Sequence, residues 1–266
     1  MNARTGWVLA LAAVLALVLA FLALPVIAIF INSSPGELIG RLGDPEARDA
    51  LGLSLETTVL AAAVIVLAGT PAAYLLATRD FPGRSVAVTL VELPLVLPPA
   101  VAGIGLLAAL GPRGLLGGAL RDLHVALVLQ TAGVVVALIF VAAPLYIRQA
   151  LAAFHAVDRA LLEAARTLGS GEAATFTRVA IPVALPGLAA GLALAWGRAL
   201  GEFGATLMFA GSFQGITQTA PLAIYDQFAS DLPAALALSA VLVAVSAGLL
   251  LAVKLIPGHG LAGAAR

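Results

Sequence analysis

The chain has 266 residues, of which 62% are hydrophobic and only 11% charged, with a formal net charge of zero. A soluble domain carries about 25% charged residues, so the medium around this fold is lipid. The absence of cysteine excludes a disulfide framework, a thiolate metal site and a thiol nucleophile.

The apolar runs are long and do not alternate, which excludes a barrel and leaves helices, since hydrocarbon satisfies no backbone polar group. The first run, Trp7 to Ile31, contains no charge and exceeds the roughly 20 residues that a spanning helix needs. The apolar core of a cleaved signal peptide is only about 7–15 residues long and ends at a small-residue site. This run lacks such a site and reads as an uncleaved first span over 7–31. Further spans are expected over 53–78, 86–110, 125–147, 183–210 and 233–256, separated by Asp-Pro, Pro-Gly and Gly-Pro segments. The expectation is an all-α, polytopic bundle of about six transmembrane helices, forming a single domain over residues 1–266.

Pro94, Pro98 and Pro99 interrupt the third run, which suits either a cavity-lining break or a packing kink. Glu92, in the same run, is either embedded, snorkels to the nearer surface or caps. Gln130 and Thr131 in the fourth run suit interhelical hydrogen bonds or a polar pathway. The termini and even connections hold Arg4, Arg79, Arg84, Arg148, Arg159, Arg166, Arg178, Lys254 and Arg266, whereas the odd connections hold only Arg41, Arg48, Arg113 and Arg121. The positive-inside rule then places both termini, the 79–85 loop and the 148–182 segment in the cytoplasm of a multi-pass inner-membrane protein. The connection after Asn32, with Asp44, Glu46 and Asp49, faces outward, as does 211–232 with Asp226 and Asp231.

The loop over 155–182 carries the most information. In it Asp158 is an N-cap candidate, Arg166 a cation in the last turn and Gly169 a C′ glycine, so a short, independently capped helix is expected. Leu161, Ala165 and Leu168 share an apolar stripe, and Arg159 and Glu163 form an i,i+4 ridge. Ser170 is positioned to cap a second helical piece with Phe176 and Arg178. Such a helix either rests on the membrane surface or docks a protein.

Glu163-Ala164-Ala165, then Gly169, then Val179-Ala180-Ile181-Pro182 resembles the EAA loop of ABC importer permeases. The resemblance implies a non-catalytic permease subunit whose Glu163, Ala164, Ala165, Arg166, Gly169, Ile181 and Pro182 couple it to a separate ATP-binding subunit. It also implies two copies of that subunit, a second copy of the permease, surrounding membrane lipid and an extracytoplasmic substrate-binding protein. ATP and Mg would sit on the ATP-binding subunit, with no cofactor on this chain. No G-x-x-x-x-G-K-[ST] phosphate loop occurs in the sequence, which fits that division of labour.

Arg198-Ala199-Leu200-Gly201-Glu202-Phe203-Gly204-Ala205-Thr206-Leu207-Met208, Thr217-Gln218-Thr219-Ala220-Pro221 and Glu92-Leu93-Pro94-Leu95-Val96-Leu97-Pro98-Pro99 are similar to molybdate permeases, with tungstate and sulfate permeases as near relatives. The likeness covers most of residues 50–256 and implies import of a tetrahedral oxyanion, molybdate or tungstate first and sulfate or thiosulfate as the alternative. Gly211-Ser212-Phe213-Gln214-Gly215 departs from the pattern, where Asn and Pro are expected in the turn.

Arg198 and Glu202 are i,i+4 inside the fifth apolar run, where ionisable groups pair or face a cavity because lipid costs them several kcal/mol. A structural ion pair and a border of the translocation path both fit. Gly197, Gly201 and Gly204 permit close helix approach or a bend. Candidates for the path or gate are Arg198, Glu202, Phe203, Thr206, Glu92 and Pro98. His124, His155 and His259 sit at unrelated positions without an H-E-x-x-H or G-x-S-x-G pattern, so neither a metal site nor a membrane enzyme is expected, and no nucleic-acid partner. A passive anion channel is a further reading, but it has no use for a capped docking helix.

Overall fold

A computed structural model of the chain describes residues 3–31, 36, 40–41 and 43–254, with the backbone alone at 3–5, 253 and 254. Part of the connection after Asn32, the end of the sixth run at 255–256, His259 and Arg266 lie outside the described residues, as do the side chains of Arg4 and Lys254. The helices are α1 (Ala3–Ile31), α2 (Pro45–Thr78), α3 (Arg84–Val96), α4 (Pro99–Leu110), α5 (Gly117–Asp122), α6 (Thr131–His155) and α7 (Arg159–Thr167). They continue with α8 (Glu172–Thr175), a π turn at Phe176–Ala180, α9 (Ile181–Leu200), α10 (Gly204–Ala210), α11 (Ala220–Phe228) and α12 (Leu232–Lys254). No strand occurs among the described residues.

Five of these elements are long and apolar enough to cross a membrane, and the bent pair α3–α4 makes a sixth. The fold is therefore an all-α membrane bundle. The element bounds differ from the apolar runs for local reasons. α2 begins at Pro45 rather than near residue 53, because Asp44 supplies an extended N-cap position, Pro45 a preset N1 and Glu46 an acid in the first turn. The third run bends by 119° between Val96 and Pro99. Leu97 precedes Pro98 and Pro98 precedes Pro99, and each takes the extended ψ that a following proline imposes, 133° and 137°. Pro94, by contrast, sits inside α3. α6 starts only at Thr131, after His124 and Leu129 take positive φ of 56° and 58°, and the fifth run breaks at Gly201–Phe203.

The bundle has two distinct ends. At one, Arg84 Nε donates to the Leu76 carbonyl at 2.7 Å and Arg84 Nη2 lies 3.4 Å from His155 Nε2, so the ends of α2 and α6, the start of α3 and the loop 155–182 share one side. At the other, Thr131 Oγ1 donates to the Ile216 carbonyl at 2.9 Å and Arg41 pairs with Asp231 at 2.9 Å. The bent pair α3–α4 thus still carries the chain from the His155 end of α6 to its Thr131 end.

α6 is the axis of the core. Val134, Leu138, Ala142, Tyr146, Ala150 and Phe154 meet Ala61, Ile65 and Ala73 of α2 and Ala184, Leu188, Ala195 and Ala199 of α9. Lipid offers no hydrophobic drive between helices, so close van der Waals contact through small residues holds them. A Cβ at Gly187 would lie 2.5 Å from the Ala153 Cβ, and one at Gly69 would lie 2.9 Å from the Tyr146 ring. Beside Gly69, Thr70 Oγ1 donates to the Val66 carbonyl at 2.6 Å. Its single proton is then spent, so Tyr146 donates to Thr70 at 2.6 Å and bridges α6 to α2. α1 contacts α12, and none of its residues from Gly6 onward is buried.

Gly187→Ala is expected to cost about 1–3 kcal/mol by overpacking, read as a lower thermal midpoint in detergent. Gly105→Ala, where a Cβ meets nothing within 4 Å, is expected to leave the midpoint unchanged or slightly raised.

Candidate functional site: a capped loop helix and a broken membrane helix

The loop 155–182 is built as two capped pieces. Asp158 Oδ1 accepts from the Ala160 N–H at 2.9 Å, the side-chain N-cap of α7. At the other end Gly169, at φ +87°, lets its N–H reach the Arg166 carbonyl and the Ser170 N–H reach the Ala165 carbonyl, a Schellman closure. Ser170 therefore finishes α7 and does not cap the next piece, whose N-cap position is Gly171. Leu162 anchors α7 in the core against Phe154 and Val157. Leu161 is 47% and Leu168 87% exposed, and Glu163, Ala164 and Arg166 are also exposed, with Ala165 half-buried. The stripe expected from Leu161, Ala165 and Leu168 thus faces away from the bundle. Arg159 and Glu163 line one cleft of about 180 Å³ with Thr78, His155 and Arg166.

After α8 the π turn bonds the Ile181 N–H to the Phe176 carbonyl. The i→i+5 step lays Phe176 and Ile181 on one face, and both line an apolar groove with Tyr146, Leu185 and Leu188. Phe176 packs at a tilt on Tyr74 at 4.7 Å and Tyr74 meets Phe154 edge-to-face at 5.3 Å, which roots the loop in α2 and α6. Pro182 follows the π turn inside one continuous helix, since Ala180 and Ile181 keep helical dihedrals.

The second constellation lies where α9 stops. Glu202 is 1% exposed, and its Oε1 accepts from the Ala205 N–H at 2.7 Å, capping α10. Oε2 lies 2.7 Å from Arg198 Nη1, an ionic contact outside hydrogen-bond alignment. Arg198 keeps 33% of its side chain exposed. The pair therefore bridges a helix break. Phe203 stacks on Tyr225 at 5.0 Å, and Thr206 is fully buried with no side-chain partner for its hydroxyl among the described residues. A Cβ at Gly204 would lie 2.8 Å from Pro99 Cβ, and one at Gly103 would lie 2.6 Å from the Ala205 carbonyl. The break at Pro98–Pro99 and the break at Gly201–Phe203 thus meet. A Cβ at Gly197 would meet nothing within 4 Å, and one at Gly201 would meet the Gly197 carbonyl at 3.8 Å.

Residues 69–257 match the protein family of binding-protein-dependent transport system inner membrane components. The chain belongs to this family. A molybdenum transport system permease protein of Mycobacterium tuberculosis (strain ATCC 25618 / H37Rv) is 42% identical over 234 residues, 88% of each chain. A molybdate/tungstate transport system permease protein of Pyrococcus abyssi (strain GE5 / Orsay) is 33% identical over 241 residues, 90% of each. Among solved structures, a chain of a bacterial ABC transporter involved in alginate import has a TM-score of 0.74 at 18% identity, covering 96% of this chain and 97% of that one. A chain of the MetNI methionine ABC transporter has 0.59 at 18%, covering 77% and 91%. These two share the fold.

In this inner membrane component, Arg198, Glu202, Phe203 and Thr206 come together on the α9–α10 break, and Pro98 adjoins them through Pro99. Glu92 does not join them. Its Oε1 lies 3.8 Å from Arg148 Nε, a half-exposed pair between α3 and α6. Sequence reasoning missed three polar links. Asp226 Oδ2 accepts from Ser212 Oγ at 2.9 Å and Gln218 Nε2 at 2.7 Å, Ser54 Oγ accepts from the Ala220 N–H at 2.7 Å, and Glu172 pairs with two arginines. Asp226 was legible only as an outward acid, and Ser54 carries no signal because its partner lies 166 positions away. No group of three metal-binding side chains occurs among the described residues.

Arg198→Ala leaves the buried Glu202 carboxylate without its counter-charge and is expected to cost about 3–5 kcal/mol. Glu202→Gln keeps an acceptor for Ala205 and is expected to cost about 1–3 kcal/mol. Thermal midpoints of the two purified variants check the order, Arg198→Ala below Glu202→Gln.

Proposed function

We propose that this chain is the membrane-spanning subunit of an ATP-driven importer for a tetrahedral oxyanion, molybdate first and tungstate second. Sulfate or thiosulfate is the alternative cargo. The observation that carries the reading is α7, a helix capped at both ends, anchored by Leu162 alone in the core and turning Leu161, Glu163, Ala164 and Leu168 outward. That is a surface made for a protein partner. The named relatives supply the anion class.

In this reading the 155–182 loop and both termini are cytoplasmic, and α7 docks on a separate ATP-binding subunit that holds ATP and Mg. Two permease copies and two ATP-binding subunits form one transporter, and a substrate-binding protein delivers the anion to the Thr131 end. The whole chain is one transmembrane domain that does no chemistry. Its work is a shift between inward- and outward-facing states, driven by partners that bind one state better than the other.

The paired breaks at Pro98–Pro99 and Gly201–Phe203 are the candidate path or gate, because interrupted helices are tolerated where backbone lines a cavity. Arg198, partly exposed, is the cation that attracts the anion, and Glu202 offsets its charge between transport events. Phe203 and Thr206 flank that point, and Glu92 with Arg148 lies along α3.

ATP-dependent uptake of radiolabelled molybdate into vesicles holding this chain, the ATP-binding subunit and the binding protein tests the reading. Glu163→Arg is expected to lower uptake more than about tenfold, the equivalent of about 1.4 kcal/mol of docking energy, and tungstate is expected to compete where sulfate does not. Uptake indifferent to ATP and to Glu163→Arg would return the chain to a passive anion channel.

A further inference from the structure

The loop carries a charge constellation that docking does not account for. Glu172 is the first residue of α8, and its two carboxylate oxygens are divided between two helices. Oε1 lies 3.2 Å from Arg79 Nη2, at the C-cap of α2. Oε2 accepts a hydrogen bond from Arg166 Nη2 at 3.2 Å, in the last turn of α7. Between Arg166 and Glu172 lie Gly169, at φ +87°, and Gly171, and a Cβ at either would meet nothing within 4 Å. The Arg166–Glu172 pair closes over that joint, and the Glu172–Arg79 pair extends the link to a helix that crosses the membrane.

α7 also contacts α8 and the π turn, and Leu162 seats it on Phe154 and Val157 at the end of α6. α7 is thus tied to α6 by an apolar anchor and to α2 by one shared carboxylate. The two tethers differ in kind. The apolar anchor tolerates rotation about itself, whereas the two charge contacts fix direction. Without the Glu172 charge, Arg79 and Arg166 become like charges facing one another, so the link changes from attraction to repulsion.

We propose that Glu172 is a positioning residue that latches α7 to the end of α2 through Arg166 and Arg79, so that displacement of α7 by an ATP-binding subunit turns α2 with it. The inference rests on the importer reading above. α2 also bonds through Ser54 to the start of α11 at the far end of the bundle, so its rotation reaches the segment that follows the helix break. Glu172 is exposed, and an exposed ion pair contributes little to folding stability. Its effect is therefore expected in coupling rather than in folding.

The experiment is reconstitution of this chain with its ATP-binding subunit and binding protein in proteoliposomes, measuring molybdate taken up per ATP hydrolysed. Glu172→Gln is expected to lower that ratio several-fold while hydrolysis, thermal midpoint and copurified ATP-binding subunit stay at wild-type values. Arg79→Gln is expected to act alike, and the double variant to be no worse than either single one, because both break one link. Glu172→Asp, which keeps the charge on a shorter arm, is expected to recover part of the ratio. An unchanged ratio in Glu172→Gln overturns the proposal, as does loss of the copurified subunit, which would make Glu172 part of the docking surface. Absence of ATP-dependent uptake in the wild type would instead remove the importer reading itself.

Discussion

A backbone that leaves its helix inside hydrocarbon must find every lost hydrogen bond within the protein, and the arrangement of this chain follows from that demand. Where α9 stops, Glu202 supplies the acceptor for the Ala205 N–H. Where α11 starts, Ser54 of α2 accepts from Ala220, and where the preceding loop passes α6, Thr131 donates to Ile216. The first junction is closed within its own break, and the other two are bound to α2 and α6. The polar residues of the bundle mark these junctions, while Thr57, Thr58 and Thr70 return their hydroxyl protons to carbonyls of α2 itself.

Close packing sets the geometry in which those bonds are made. Gly69, Gly187 and Gly191 let α2 and α9 lie against Tyr146, Ala153 and Gln149 of α6. Gly103 and Gly204 do the same for α4 and α10, bringing two chain breaks into contact. The result is a closely packed three-helix core beside a region made of short, interrupted helices. A transporter needs that contrast, since a packed core moves as a body and interrupted helices rearrange at their breaks.

The two candidate regions occupy opposite parts of this frame. The loop helix α7 hangs at the His155 end, rooted by Leu162 and by the aromatic cluster of Tyr74, Phe154 and Phe176. The Arg198–Glu202 bridge lies one helix length away along α9. α9 and α2 join them, both packed on α6. The π turn at Phe176–Ala180 sets the rotation of α9 relative to the loop, because it shifts the helical register by one residue.

The amino-acid sequence by itself determined the medium, the helical class, the number of crossings and the capped loop helix. All of these follow from composition, run length and cap chemistry within a few neighbouring residues. Asp158, Gly169 and Leu97-Pro98-Pro99 act through backbone dihedrals that the chain carries wherever it goes. Only the tertiary structure decided which face of α7 is free, because Leu161 and Leu162 are equally apolar and the pocket of Phe154 and Val157 selects between them. It likewise decided that Arg198 and Glu202 bridge a break instead of lying on one helix, that Glu92 belongs with Arg148, and that Gly103 and Gly204 touch a neighbour whereas Gly197 does not. Such pairings join residues far apart in the chain through shape and distance, and no spacing rule within a single helix encodes them.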